Sequence, residues 1–437
     1  MAVNTTISTR FNLNPITTPE YNFFNSLRDL FHVKIPEKIM IIPVIHCYES
    51  SISMIKAVSN IFYTPLLIVK ESTKRQNPTI LRRLREMGFS IKQEHDKSFF
   101  NKKGNALRLL QEHVPHDHQF IIMDHGGYFA TSIKDISIYF GSDRFIGITE
   151  HTLNGHYKYA HTSLSSQIDQ PILSIAKTEI KSIVDSEISE TLAHAIDHVV
   201  RQVVGVRLND HNTYKVGIIG YGNLGMGIAQ SLKEKSIQGI KVCEYNPIKK
   251  VKALSSGFSL YSIDEICRNC NVIISATGNK AIKLDHLQLM QNETFISTVT
   301  SPDDEFDFNH LKSNDKIYKV KSNEFLSHYR LSKTNNNIFF ILNGQASNLL
   351  MKNGISRPSL IYLVESMQLL SNLILATNRD DKKKSIEELT LENQQMLCEL
   401  WLKYFENTPP VSERTNNIIP LRGNKNGIIQ YQRLKQT

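Results

Sequence analysis

Three glycines set the first chemical constraint on this chain. Gly220, Gly222 and Gly225 form a GxGxxG pattern directly after the apolar run Val216–Ile219 and ahead of a stretch with helical character. Gly220 permits a tight turn, Gly222 lets the backbone approach a pyrophosphate with no Cβ in the way, and Gly225 allows the helix to pack closely on the strand. Asn223 and Leu224 open that helix, whose free N–H groups and dipole favour a negative charge. A second apolar run, Ile240–Cys243, ends in Glu244, about where a ribose-binding acid is expected. A carboxylate there accepts from the 2′-OH of NAD and repels the 2′-phosphate of NADP. Lys249, five residues on, blurs that preference slightly. The pattern predicts NAD as the cofactor; the alternative is a structural βαβ unit whose glycines serve packing alone.

The cysteines point away from metal and disulfide chemistry. Cys47, Cys243, Cys267, Cys270 and Cys398 are odd in number and scattered, which argues against a disulfide framework and for a reducing compartment. Cys267 and Cys270 form a single CxxC with no second pair, so packing is expected of them rather than zinc. The first residues lack a basic segment followed by an apolar one, and no apolar run is read as long enough to span a bilayer. A cytoplasmic protein with no membrane partner is therefore expected. The net charge of +9 comes from lysines spread along the chain, with one dense run at Asp381–Lys384. That distribution predicts a solvated basic surface drawing anionic metabolites, and no nucleic-acid partner.

A site of this kind needs a scaffold, and 437 residues suffice for two or three domains. Strand-like runs at Ile39–Ile45, Leu66–Val69 and Phe120–Met123 alternate with helix-like stretches from about Ser50, at Thr79–Met87 and at Ala106–His113. Beyond the glycines, Val272–Ala276, Thr294–Thr298 and Ile338–Leu342 continue a second series. The alternation predicts an α/β fold with two Rossmann-like, doubly wound parallel sheets. Leu192, Ile196, Val199, Val200 and Val203 share one helical face and predict a connecting helix at 191–205, with a hinge beside it near Gly205. Glu387–Phe405 reads as helical, and the polar remainder from 406 as a tail.

The order of motifs resembles S-adenosylhomocysteine hydrolase over most of the chain. IMDHGGYFA (Ile122–Ala130) is similar to that family's LDDGGDLT segment, and GITEHTLNG (Gly147–Gly155) to its GISEETTTG segment. PILSIAKTEIKSIVDS (Pro171–Ser186) aligns without gaps on the segment containing VTKSKFDN, and GYGNLGMGIAQSL, CEYNP, SATGN and NGQASNL follow in the family's order. The resemblance implies a discontinuous substrate domain, 1–190 with 351–405, around an NAD domain at 206–350. It also implies reversible oxidation of a nucleoside's 3′-hydroxyl, after which the neighbouring C–H is acidic and a β-placed group can leave.

By the same resemblance Lys181 and Asp185 match the catalytic lysine and aspartate, four residues apart and so on one face of a helix. A lysine beside a positively charged nicotinamide can exchange protons with the alcohol while the aspartate orients it. His46, in PVIHCYES, falls at the family's acid or base near the leaving group. Thr152, Asn154, Ser186, Thr277, Gly278 and Asn348 fall within segments that contact NAD, Ser186 being a substitution for asparagine.

The substrate positions depart from the pattern. His125 and His151 replace a substrate-contacting aspartate and the glutamate that holds the ribose hydroxyls; Tyr48 and Ser50 replace the threonine and glutamate that bind adenosine. Ser301 stands for a histidine, and Arg357 begins RPSL where the family has an HPSF gate. Redox chemistry kept with a changed, small-molecule and anionic substrate is therefore expected, with no metal; the three histidines hydrogen-bond and lend partial positive charge. An authentic hydrolase of S-adenosylhomocysteine and a silent NAD-binding regulator are the alternatives. The resemblance implies a homo-oligomer, dimer or tetramer, although the family's closing lysine and tyrosine motif is missing.

Overall fold

A computed structural model describes residues 18–30, 35, 38–70, 77–92, 97–166, 168–210, 212–300, 305–306, 316–323, 325–350, 357–377 and 386–406. Ser301, the run Asp381–Lys384 and the tail beyond 406 lie outside the described residues. The chain divides into two compact units, Met1–Ala176 with Tyr362–Thr437, and Lys177–Ile361.

The first unit carries seven parallel strands: β1 Ile39–Ile45, β2 Leu66–Val69, β3 Ser90–Lys92, β4 Gln119–Asp124, β5 Phe145–Glu150, β6 Ile172–Ser174 and, last in the chain, β15 Ile386–Glu388. Every residue of β1 is buried, as for a strand covered on both faces. Their order is β15-β6-β5-β4-β1-β2-β3, so the winding reverses at β1. Met40, Ile42, Phe120, Ile122, Phe145 and Ile148 fill the core on one side.

The second unit holds β7 Val216–Ile219, β8 Lys241–Cys243, β9 Ser259–Leu260, β10 Val272–Ser275, β11 Thr294–Thr298, β12 Ile317–Ser322, β13 Leu326–Leu331 and β14 Asn337–Ile341. The order β12-β13-β14-β11-β10-β7-β8-β9 reverses at β7, and β13 runs antiparallel to both neighbours. Alternation sends Val216 and Ile218 to one face with Leu192 and Ile196, and Ile219 to the other with Cys267 and Cys270. The molecule is thus doubly wound α/β with two Rossmann-like sheets, as the alternation of runs predicts. The antiparallel edge was not foreseen. Burial pushes the Cys270 thiol to about 11 and the Cys267 thiol to about 12, as suits packing residues.

Three boundaries differ from expectation. One unbroken helix, Glu179–Val204, runs through residue 190, capped by the Thr178 hydroxyl on Lys181 N–H and ended by Gly205 in the left-handed region. No separate connecting helix begins at 191, and the whole helix goes with the second unit because its apolar face packs on β7 and β10. The expected helix Glu387–Phe405 opens instead with β15 and becomes helical only at Leu391–Phe405, after the Thr390 cap. Finally, Ser359–Thr377 is a helix long and apolar enough to cross a membrane, which the sequence reading passed over. The apolar window of this helix is 89% buried within the protein, so it is a core helix by packing.

Candidate functional site

The glycine-rich turn follows β7, at the point where the second sheet reverses its winding, the place where open parallel sheets bind ligands. Gly220 has φ +96°, and a Cβ there would meet the Ala276 carbonyl at 2.7 Å. At Gly225 a Cβ would come within 2.0 Å of the Gly220 carbonyl, so the helix Asn223–Glu234 can start against the strand end only without a side chain. Gly222 precedes that helix and provides no side-chain cap, leaving the first-turn N–H groups for an anion. Glu244 accepts from the N–H groups of Tyr221 (2.7 Å), Tyr245 and Asn246 (2.8 Å each), which fixes the carboxylate beside the turn. Each oxygen retains acceptor capacity for a ribose hydroxyl. These residues suit the adenosine diphosphate half of NAD.

Lys181 and Asp185 form an ion pair on the first turns of the long helix, each side chain 12% exposed. Asn223 Nδ2 donates to Asp185 Oδ2 at 3.5 Å, and Ser189 Oγ donates to the carbonyls of Asp185 (2.7 Å) and Leu224 (3.2 Å). The pair is therefore tied to the start of the glycine-loop helix. Ser186 is exposed on the same helix. Asn348 lies in the short helix Ser347–Leu350.

A residue that sequence reasoning missed organises the Thr277–Gly278 segment. Glu305, fully buried, accepts from Ser275 Oγ (2.6 Å), Thr277 Oγ1 (3.1 Å), Gly278 N–H (2.9 Å) and Thr300 Oγ1 (2.7 Å). Thr277 thus serves its own loop. No spacing rule marks Glu305, because its partners come from two separate places, the end of β10 with the turn after it and the segment after β11.

In the first unit, three imidazoles gather over the strand ends where the winding reverses. His46 follows β1, His125 follows β4 and His151 follows β5. The His46 and His125 rings meet edge-on at 4.6 Å, His125 and His151 stack at 4.1 Å, and Tyr48 lies 5.6 Å from His46. Burial, then the charges of Lys70 and His151, hold His46 well below the ordinary imidazole value. His46 therefore offers a hydrogen-bonding nitrogen at neutral pH, and the positive charge expected of it comes from Lys70. Lys70, 7% exposed at the end of β2, was not singled out from sequence, although a lysine closing an apolar strand is a usable signal. Gln368 Nε2 donates to the Asp124 carbonyl (2.9 Å), which turns its oxygen to His151 Nδ1 (3.2 Å). His151 Nδ1 thereby carries the proton.

Two buried carboxylates hold these histidines in place. Asp124 accepts from the N–H groups of His125, Tyr128 and Phe129 and from the Tyr159 hydroxyl. Glu150, its neighbour in register across β4 and β5, accepts from Gly126 and Gly127 N–H and from Thr152 N–H and Oγ1. Burial and the Asp124 charge raise Glu150, and the hydrogen bonds from Thr152 N–H and Oγ1 and from Gly126 N–H oppose that rise. Thr152, expected at NAD, is engaged here with Glu150; Asn154 lies two residues on, in the first turn of the helix Leu153–Ser166. Arg357, expected beside the histidines, is exposed and belongs to the second unit. Among the described residues no group of three or more His, Cys, Asp or Glu is placed to hold a metal ion.

Residues 196–354 match the family model described as S-adenosyl-L-homocysteine hydrolase, NAD binding domain. The matched residues make up about a third of the chain. NAD is accordingly the cofactor of the second unit, in agreement with the glycine turn and Glu244. Over 214 residues the chain is 24% identical to the adenosylhomocysteinase of Triticum aestivum, covering 47% of this chain and 42% of that protein. The chain thus spans about two fifths of the length of this curated relative. Among solved structures, a dipicolinate synthase from Bacillus halodurans is 12% identical with a TM-score of 0.38, covering 64% of this chain and 87% of that one. The dipicolinate synthase from Bacillus subtilis is 11% identical with a TM-score of 0.39, covering 79% of this chain and 98% of that one.

Proposed function

We propose that the protein is an NAD-dependent, adenosylhomocysteinase-like enzyme that reversibly oxidises a secondary hydroxyl of a nucleoside-type substrate other than S-adenosylhomocysteine, and so enables elimination and addition at the neighbouring carbons. The observation that carries this reading is the Lys181–Asp185 pair, tied through Asn223 to the glycine-rich turn of an NAD-binding domain. When bound, NAD supplies a hydride acceptor. Lys181 exchanges the hydroxyl proton, and Asp185 holds the ammonium in position for it. His46, kept neutral, can take the proton from the carbon next to the new ketone and return it to the leaving group.

His125 and His151, with Lys70 beside them, favour a carboxylate or phosphate on the substrate, since imidazole and ammonium N–H groups donate to anionic oxygens. That chemistry differs from carboxylates holding ribose hydroxyls, and a site built for one partner rejects the other when polar groups are left unmet. A dimer or tetramer acting in the cytoplasm completes the reading. The test is to add adenosine, adenosine 5′-monophosphate and S-adenosylhomocysteine separately to NAD-loaded protein and follow reduced nicotinamide by absorbance. Reduction by the phosphorylated nucleoside in preference to S-adenosylhomocysteine supports the proposal, and homocysteine release at a rate typical of a hydrolase overturns it.

A further inference from the structure

The helix Ser359–Thr377 is apolar apart from one stripe, and that stripe crosses the strand ends of the first unit. Glu365, Gln368 and Asn372 fall at three- and four-residue intervals on one face. Asn372 Oδ1 accepts from Thr149 Oγ1 (3.2 Å), Gln368 bridges the Asp124 carbonyl and His151, and Glu365 Oε1 accepts from Ser50 Oγ (3.2 Å). Ser50 stands two residues after Tyr48, whose ring packs by His46. The contacts close a ring: Glu365, Ser50, Tyr48, His46, His125, His151, Gln368 and back along the helix to Glu365.

Within that ring Glu365 is anomalous. Its side chain is 6% exposed and its second oxygen, Oε2, is buried with no hydrogen-bond partner. A buried polar atom left unsatisfied costs about 1–3 kcal/mol, so one that persists in a folded protein calls for a partner. Gln368, on the same face, is met at both ends of its amide, while Asn372 is met at its oxygen and leaves Nδ2 buried without a partner.

We propose that Glu365 reads the substrate: its Oε2–H donates a hydrogen bond to an acceptor atom of the bound nucleoside-type ligand, a ring nitrogen or a carbonyl oxygen. This rests on the functional reading above and gives it a specificity-determining residue. Burial pushes the carboxyl up to about 8, with the Ser50 hydrogen bond pulling the other way, so it is protonated at neutral pH. In the neutral acid the oxygen accepting from Ser50 is the carbonyl and the other bears the proton.

The test uses NAD-loaded full-length protein, radiolabelled adenosine and adenosine 5′-monophosphate as probes, and equilibrium dialysis. Glu365→Gln reproduces the neutral acid, with its carbonyl to Ser50 and its N–H where Oε2–H stood, and should bind the probes within about threefold of wild type. Glu365→Leu removes the donor and should weaken binding at least about tenfold. Equal affinity in Glu365→Leu overturns the assignment, and so does a Glu365→Gln variant as weak as Glu365→Leu, because then the carboxylate accepts. A second arm needs no ligand: Glu365→Leu should raise the melting temperature of the free protein by a few degrees, since an unsatisfied buried acid is replaced by an apolar side chain. If neither probe binds wild type, the nucleoside reading fails and this arm decides Glu365 alone. A lowered melting temperature makes Glu365 a structural anchor and overturns the proposal.

Discussion

Making the solution alkaline should destabilise the first unit through one residue, Glu365. Its carboxyl titrates at about 8 in the folded protein instead of 4.5. Because the folded value is raised, its contribution to stability is fully present below about pH 4.5 and is lost as the pH rises through about 8. The gap of roughly 3.5 pH units, at about 1.36 kcal/mol each, makes about 5 kcal/mol. Relaxation and water entry on ionisation reduce this, so the loss read should be about 2–5 kcal/mol. Glu365→Gln removes the titration and leaves every other group in place. The difference in unfolding free energy between variant and wild type should therefore be small at acid pH and grow in favour of the variant up to about pH 9. The single tryptophan, Trp401, is buried in the first unit, so urea unfolding followed by its fluorescence reads the unit that contains Glu365. A difference that stays level within about 0.5 kcal/mol across this range refutes the reasoning.

Other expectations follow from single contacts. Lys181→Met should leave bound NAD unchanged, as measured after extraction, yet abolish nicotinamide reduction on adding substrate; Asp185→Asn should show a milder defect. Retained reduction in Lys181→Met would return the pair to a structural role. Asp124→Asn exchanges one acceptor oxygen for a donor that faces N–H groups, and two charge-assisted bonds lost should cost about 3–5 kcal/mol in urea unfolding. A cost below about 1 kcal/mol would show that the loop carrying His125 does not depend on it. Restoring carboxylates with His125→Asp and His151→Glu should raise affinity for adenosine relative to adenosine 5′-monophosphate, and an unchanged preference in dialysis would mean these positions do not choose the substrate.

Much of this site was legible because its signals are local. The GxGxxG turn needs glycine at fixed steps from a strand, and Glu244 closes the next strand, so both could be placed without knowing the fold. The two sheets were legible for the same reason: β1, β2 and β7 are short, continuous apolar runs. What escaped depends on distant partners. Asp124 gathers donors from the loop after its strand and from Tyr159 on a helix, Glu150 from the loops after β4 and β5, and Glu305 from around the ends of β10 and β11, and only the assembled backbone reveals that they are clamps. Their one local trace, shared by Asp124, Glu150 and Lys70, is a charge at the end of an apolar strand. Glu365 escaped because a lone acid within an apolar helix looks like an exposed position until the helix is seen to be buried. The domain division was misplaced at 190 although Ile180 and Val184, buried and four residues apart, already begin the stripe of the same helix.

The central claim, that the chain oxidises a secondary hydroxyl with its own NAD, is tested most directly by following one hydrogen. Adenosine 5′-monophosphate carrying deuterium on the 3′-carbon is mixed with NAD-loaded protein, the mixture is quenched, and the nicotinamide is analysed by mass spectrometry. The account predicts deuterium on the reduced nicotinamide in wild type and none in Lys181→Met. Deuterium that stays on the sugar carbon, in wild type that demonstrably binds the nucleotide, would contradict it.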